Sequence, residues 1–427
     1  MSDWRLGRSF AVAFALCVLL SGSGAHAQQA DPAELDALKK MIEEVLAQNE
    51  ALRKRVRDLE EAMKERAPGP AGAPPAVVGT TPKVPEQPVI PEVASEPIKT
   101  AREKIQLGGA LEVEAGTRKE FNRVRSSDIA LTTAEFDFEA DVVDWAKAEL
   151  SLQWDSAADK ITVNEGLITI AKPSVVPVYL KTGRGVVPFG TSTGTSVAAR
   201  FEESLTITGP LTIEAFEAKE DYAQLGVRSH GFNGGIYLFN GTTDNRKRGK
   251  HLEHWGATVG YGMKTDLVSF DVGVDWMDSI FDTDGLTAAF PELQTRPKRA
   301  YTPGFSAHGR FGIFGFSLIA EYDGATQQVH FTRSRRDVKT MPEAWQVELG
   351  YMTKVFGVRP FAAFNYSATA GMFGGFPERR LLGTVGTFVT DNIRVALEYN
   401  NEQDYPRIQG GTGREAEAWT LRLTYEW

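Results

Sequence analysis

The chain has 427 residues, with 47 lysines and arginines against 56 aspartates and glutamates for a formal charge of -9, and it holds one cysteine. The acidic balance argues against nucleic acid as a partner, and a lone cysteine excludes a disulfide framework or a paired-cysteine metal site. Mean hydropathy is -0.26, and no stretch beyond the first residues approaches the roughly 18 unbroken apolar residues that a spanning helix needs.

The first residues carry Arg5 and Arg8, then an apolar run from Phe10 to Leu20, then Ala25-His26-Ala27. This is the pattern of a secretory signal peptide over 1–27, with cleavage expected after Ala27. Cys17 follows Leu16 inside the apolar run, a poor lipoprotein cleavage site, so the mature chain is expected to carry no cysteine, disulfide or lipid anchor. Export without a helical anchor leaves a periplasmic, secreted or outer-membrane product. Residues 34–66 switch to heptads, with Leu35, Ile42, Asn49, Val56 and Met63 at a and Leu38, Val45, Leu52 and Leu59 at d. The spacing predicts a periplasmic coiled coil, the alternative being one amphipathic helix lying on whatever follows. Asn49 at an a position fixes register and in simple zippers favours two strands, whereas porin barrels are commonly trimeric; a homotrimer is expected, with the copy number open. Residues 67–103 hold nine prolines, among them Pro74-Pro75, and read as an extended linker.

From 105 to 427 the pattern is short alternating strands. In Ala146 to Asp155, Ala146, Ala148, Leu150, Leu152 and Trp154 share one face, opposite Lys147, Glu149, Ser151, Gln153 and Asp155. Leu267 to Trp276 repeats this with Val268, Phe270, Val272, Val274 and Trp276 opposite Asp271 and Asp275, and the last strand sets Trp419, Leu421, Leu423, Tyr425 and Trp427 against Arg422 and Glu426. One such strand suits a soluble sandwich equally well. A long series of half-charged faces suits a barrel that turns its apolar faces to lipid and its polar faces to water.

At about 20 residues per strand and connection, this region holds about sixteen strands: 105–115, 128–140, 146–156, 163–171, 178–185, 220–230, 234–240, 252–264, 267–277, 302–313, 316–323, 343–354, 358–367, 379–390, 393–403 and 416–427. Connections after even strands are short, and those after odd strands are mostly long, notably 186–219, 278–301, 324–342 and 404–415. The expected class is all-β: a transmembrane antiparallel barrel in the bacterial outer membrane, with short turns periplasmic and long loops extracellular. Trp145, Trp255, Trp276, Trp345 and Trp419 lie near strand ends, as interfacial girdles require. The aromatic end Tyr425-Glu426-Trp427 resembles the assembly signal of such barrels, with tryptophan where phenylalanine is usual.

Catalysis finds little support and no cofactor is expected, the other reading being an outer-membrane protease or phospholipase whose site assembles from distant residues. His251 and His254 fall on opposite faces of a strand end, and no nucleophile elbow or phosphate-binding glycine loop is present. The loop from Val186 to Lys219 is the most suggestive element, because it is long and keeps Phe201, Leu205, Ile207, Leu211, Ile213 and Phe216. Folding into the barrel would bury these and make Glu202, Glu203, Glu214 and Glu217 a constriction; packing over the rim or against a neighbouring subunit is the other reading. Lys147, Glu149, Asp271, Asp275, Arg394 and Arg422, on polar faces of strands, are candidates to line the pore. Arg246, Lys247 and Arg248, with Arg333, Arg335 and Arg336, form basic runs in other loops. They suit lipopolysaccharide phosphates or solvent first and capture of an anionic solute second.

Gly109-Ala110-Leu111-Glu112-Val113-Glu114-Ala115, Ser127-Asp128-Ile129-Ala130-Leu131, Val163-Asn164-Glu165-Gly166, and Gly183-Arg184 through Pro188-Phe189-Gly190 resemble the motifs of LbtU-type siderophore porins. The resemblance spans most of 105–427. It implies a sixteen-stranded barrel that imports a ferric siderophore without the plug of energy-coupled receptors, and it assigns no residue to siderophore recognition. Plugged receptors need about 22 strands, more than this region holds. Further readings are a general or anion-selective diffusion porin, and a structural barrel that ties outer membrane to cell wall through its coiled coil.

Overall fold

The computed structural model describes residues 105–155, 160–190, 204–241, 252–265, 267–293, 301–333 and 336–427. The expected signal peptide, coiled coil and linker therefore lie outside the described residues. In chain order the strands are β1 (Ile105–Lys119), β2 (Arg125–Val143), β3 (Ala146–Asp155), β4 (Lys160–Ala171), β5 (Val178–Val186), β6 (Lys219–Ser229), β7 (Phe232–Phe239), β8 (His254–Lys264) and β9 (Val268–Met277). They continue as β10 (Gly304–Ile313), β11 (Phe316–Ala325), β12 (Val329–Arg333), β13 (Arg336–Thr340), β14 (Glu343–Met352), β15 (Arg359–Ala370), β16 (Arg379–Thr390), β17 (Ile393–Gln403) and β18 (Glu415–Glu426). Sixteen of them close an antiparallel barrel in sequence order, with β14 following β11 and β18 sealing against β1 through pairs such as Ala110↔Glu426 and Lys119↔Glu417. β12 and β13 form a separate hairpin, so the connection over 324–342 is folded where a plain loop was expected. The reason is burial: Val329 is nearly solvent-free, and Phe331 meets Phe290 edge-on at 5.8 Å.

The burial pattern inverts that of a soluble protein. Along β14, Ala344, Gln346 and Glu348 are at most 3% exposed, while the alternate Trp345, Val347 and Leu349 are 41, 36 and 56% exposed. Polar side chains face a protein-lined interior and apolar ones face out, an arrangement that is stable only where the outside is hydrocarbon. Outward aromatics pair at both ends. Trp255–Trp276, Trp345–Tyr366 and Tyr399–Trp419, with centroids 4.5, 5.2 and 4.9 Å apart, ring the end with the long connections. Tyr261–Phe270, Phe316–Tyr351 and Tyr425–Trp427 ring the other, where Trp145 also sits exposed in the β2–β3 turn. The short turns there are tight: Phe314 and Gly315 both take positive φ, 50° and 83°, as a two-residue turn matched to strand twist requires.

Candidate functional site: a segment folded into the lumen

The segment after β5 begins at two glycines whose backbones no other residue adopts easily. Gly183 has φ 138° within β5, and Gly190 has φ 78°. Between them Val187 and Phe189 are buried, and the Gly190 N–H donates to Asp275 Oδ2 at 2.9 Å on the inner wall at β9. The chain therefore turns inward as soon as it leaves the barrel.

Residues 204–210 run along the inner face of β14 to β17. The Leu205 N–H donates to Glu348 Oε1 at 3.0 Å and Ser204 Oγ to Glu348 Oε2 at 2.7 Å. The Ile207 and Thr208 N–H groups donate to the two oxygens of Glu398 at 2.6 and 2.9 Å. Arg394 donates to the Leu205 carbonyl and Arg380 to the Gly209 carbonyl, the latter at 2.8 Å. An extended chain off the sheet has unpaired main-chain groups, and wall carboxylates and guanidiniums supply their partners. Leu205 and Ile207 bury their side chains against Phe361, Ala363, Phe388 and Ala396.

The segment then forms a short helix, α1 (Leu211–Phe216), anchored by Thr212 Oγ1 to Glu321 Oε2 at 2.7 Å. α1 packs on a second short helix, α2 (Asp284–Ala289), from the β9–β10 connection, with Thr283 Oγ1 donating to the Ala215 carbonyl at 2.9 Å. Burial pushes the Asp284 carboxyl up from the ordinary carboxylate value, a rise opposed by the Lys219 N–H bond it accepts. Phe189, Phe216, Phe281, Leu286, Phe290 and Met372 belong to one apolar core joining these elements to the β12–β13 hairpin. One side of the mouth thus carries a small folded cap with its own core.

Of the residues singled out from sequence, Glu214 pairs with Arg380 at 2.6 Å, and Arg380 also binds Glu402 at 2.7 Å. Glu217 ends α1, its carbonyl accepting the Asp284 N–H. Glu202 and Glu203 lie outside the described residues, as do Arg246, Lys247, Arg248 and Arg335. Arg333 and Arg336 are paired across the tip of the β12–β13 hairpin. Lys147, Glu149, Asp271, Asp275, Arg394 and Arg422 all stand on the inner faces of their strands, by register with inward neighbours. They do not form one cluster. Lys147 bridges Glu139 and Glu149 at 2.8 and 2.9 Å; Arg422 binds Glu112 at 3.2 Å and also Glu114; Asp275 and Arg394 hold the inserted segment.

Glu348, Glu398, Arg380 and Glu321 were not singled out from sequence. Their one sequence signal is a charge at an inward position of a strand, shared by many residues that hold nothing. A cavity of about 460 Å³ lies between the inserted segment and the opposite wall, bordered by Thr208, Glu214 and Arg380 on one side and Glu114, Arg118 and Asp128 on the other. Arg422 is the counter-ion of that wall, with Glu112 only 2% exposed. Removing it as Arg422→Ala should leave the buried Glu112 carboxylate with threonine hydroxyls as hydrogen-bond donors but without its ion pair, and destabilise the barrel by about 3 kcal/mol, read as a lower urea midpoint in lipid vesicles.

No protein-family model matches the chain. It is 26% identical over 325 residues to a UPF0422 protein of Coxiella burnetii, covering 73% of this chain and 66% of that protein. It is 22% identical over 337 residues to UPF0422 protein lpl2888 of Legionella pneumophila, covering 72% and 61%. The chain thus spans slightly less than two thirds of the length of these relatives. Among solved structures it resembles the anion-selective porin of Comamonas acidovorans (TM-score 0.50, 10% identity, 76% of this chain and 99% of that one). It resembles likewise the outer-membrane channel DcaP of Acinetobacter baumannii (0.52, 10%, 76% and 97%) and Salmonella typhi OmpF (0.51, 11%, 76% and 97%). At these identities the likeness is one of fold, and the fold is that of a sixteen-stranded outer-membrane porin barrel.

Proposed function

We propose that the protein is a diffusion channel whose bore is narrowed by the stretches over 187–190 and 204–218. The observation that carries this is the row of bonds from residues 204–209 to inner-wall groups on three strands, Glu348 of β14, Arg380 of β16, and Arg394 and Glu398 of β17. A loop held this way constrains what passes. The motif resemblance names a ferric siderophore as the solute. A general porin is the second reading, favoured by the likeness in fold to outer-membrane porins. The heptads over 34–66 belong to the same proposal as a periplasmic oligomerisation helix, with three copies and a cell-wall contact as the expected partners, beside lipid and lipopolysaccharide around the barrel. Swelling of liposomes holding the purified protein should occur with small amino acids and sugars. Deletion of the gene should abolish growth on a ferric siderophore while sparing growth on iron salts. Swelling with small solutes and unchanged siderophore use would leave the general porin; no swelling and no growth defect would remove the channel altogether.

A further inference from the structure

Away from the inserted segment, near the short-turn end of the lumen, β5, β6 and β7 bring together a set of hydrogen-bond donors. Tyr179, Arg228 and Asn233 project inward, since the alternate Val178, Leu180, Leu225 and Val227 are exposed on the outside. The Tyr179 ring lies over the bare backbone of Gly226, where a Cβ would fall 2.3 Å from it. Its hydroxyl donates to Asn233 Oδ1 at 3.2 Å, and the Arg228 guanidinium stands 5.5 Å from the ring centroid. Tyr179 therefore positions both neighbours. With Oδ1 taken up as an acceptor, Asn233 turns its NH2 group, two donors, the other way. Arg228 is its directly opposed partner across β6 and β7 and adds the N–H groups of its fork.

The wall supplies no acceptor for these donors. Among the described residues Arg228 has no ion pair and the Asn233 NH2 group no acceptor, and Arg228 is exposed to the lumen. Lys181, the next inward position of β5 beyond Tyr179, also has no ion pair among them, and its neighbours in register are the uncharged Thr169 and Gln224. The inward acids of the flanking strands face cations of their own: Glu149 of β3 binds Lys147 at 2.9 Å, and Asp271 of β9 is in register with Arg310. Beside Asn233 the inner face of β8 is Gly260, and no side chain lies within 4 Å of where its Cβ would be, so the wall has room there. A positioned guanidinium fork beside an amide NH2 group is the donor set that carboxylates and phosphates accept from. Lys181 stands about 13 Å further along the strands, so a polycarboxylate held by Arg228 and Asn233 can reach it.

We infer that Arg228 and Asn233, with Lys181 beyond them, form an oxyanion subsite at the short-turn end of the lumen, taking the carboxylate or phosphate group of a small anionic solute. This rests on the channel reading and names the solute class for it. The full chain is reconstituted in planar bilayers near 0.1 M KCl, where the Debye length is about 10 Å, and its current is titrated with citrate or with inorganic phosphate. Both should block the current. Arg228→Gln should raise the half-blocking concentration about tenfold or more, as loss of a charge-assisted fork implies. Arg228→Lys should recover part of the block, and Lys181→Gln should weaken citrate more than phosphate. Titration calorimetry of the same proteins in detergent micelles reads binding without current, and the heat of citrate binding should be lost in Arg228→Gln. No block and no heat in the wild-type protein, or block and heat that Arg228→Gln leaves unchanged, overturns the subsite while a conducting protein keeps the channel reading. Calorimetric binding that depends on Arg228, in a folded and inserted protein that passes no current, upholds the subsite and overturns the channel.

Discussion

The double variant Glu348→Ala, Glu398→Ala should raise single-channel conductance about twofold while the barrel stays folded. These two carboxylates accept hydrogen bonds from the Leu205, Ile207 and Thr208 N–H groups and from the Ser204 hydroxyl. Each charge-assisted bond of this kind is worth about 1.5–3 kcal/mol, so losing the set exceeds what the small apolar contact of Leu205 and Ile207 can hold. The strand pairings of β14 and β17 use main-chain groups and survive. The recording belongs in about 1 M KCl, where screening over about 3 Å removes the direct electrostatic effect of deleting two charges and leaves the bore as the variable. Heat-modifiable migration on gels serves as the control for folding. An unchanged conductance in a folded double variant would mean that residues 204–210 do not set the bore.

Replacing Gly183 by valine should prevent the barrel from reaching its heat-modifiable form, or destabilise it by about 3 kcal/mol or more. Gly183 takes φ 138°, outside the reach of a β-branched residue. A Cβ there would also collide with the Gly166 carbonyl oxygen and approach Leu167 Cα at 3.1 Å, within the β4–β5 pairing. Gly383→Ala in β16 is the matched control, since a Cβ there meets nothing within 4 Å, and it should fold as the wild type does. A Gly183→Val barrel with wild-type urea resistance would show that β5 can pair without its distortion, and the account of how the segment enters the lumen would fail with it.

Both predictions concern groups with very different visibility in the sequence. Gly183 and Gly190 stand in a motif that the chain displays openly, yet nothing in the motif says that the first bends β5 and the second hands its N–H to Asp275. Glu348 and Glu398 looked like any inward acids. Asp128 and Asp137 of β2 were not singled out from sequence, and simple alternation places them on opposite faces, whereas the register shift between Glu112 and Val113 changes the parity of the strand at Thr132.

What the amino-acid order settles by itself is local and periodic: sixteen strands near their observed limits, their inner and outer faces, the alternation of short and long connections, and the aromatic ends. These follow from a side-chain period of two and from the demand that hydrocarbon-facing residues be apolar, and each is decided within about ten residues. Only the closed tertiary structure decides which inner-wall carboxylates meet the segment over 204–212, because partners such as Leu205 and Glu348 stand 143 residues apart and meet only after β1 seals against β18. The same holds for the hairpin in 324–342, the apolar cap that binds five connections together, and the parity switch at Thr132. Each depends on how one stretch of chain packs or registers against another, and that energy has no signature in either stretch alone.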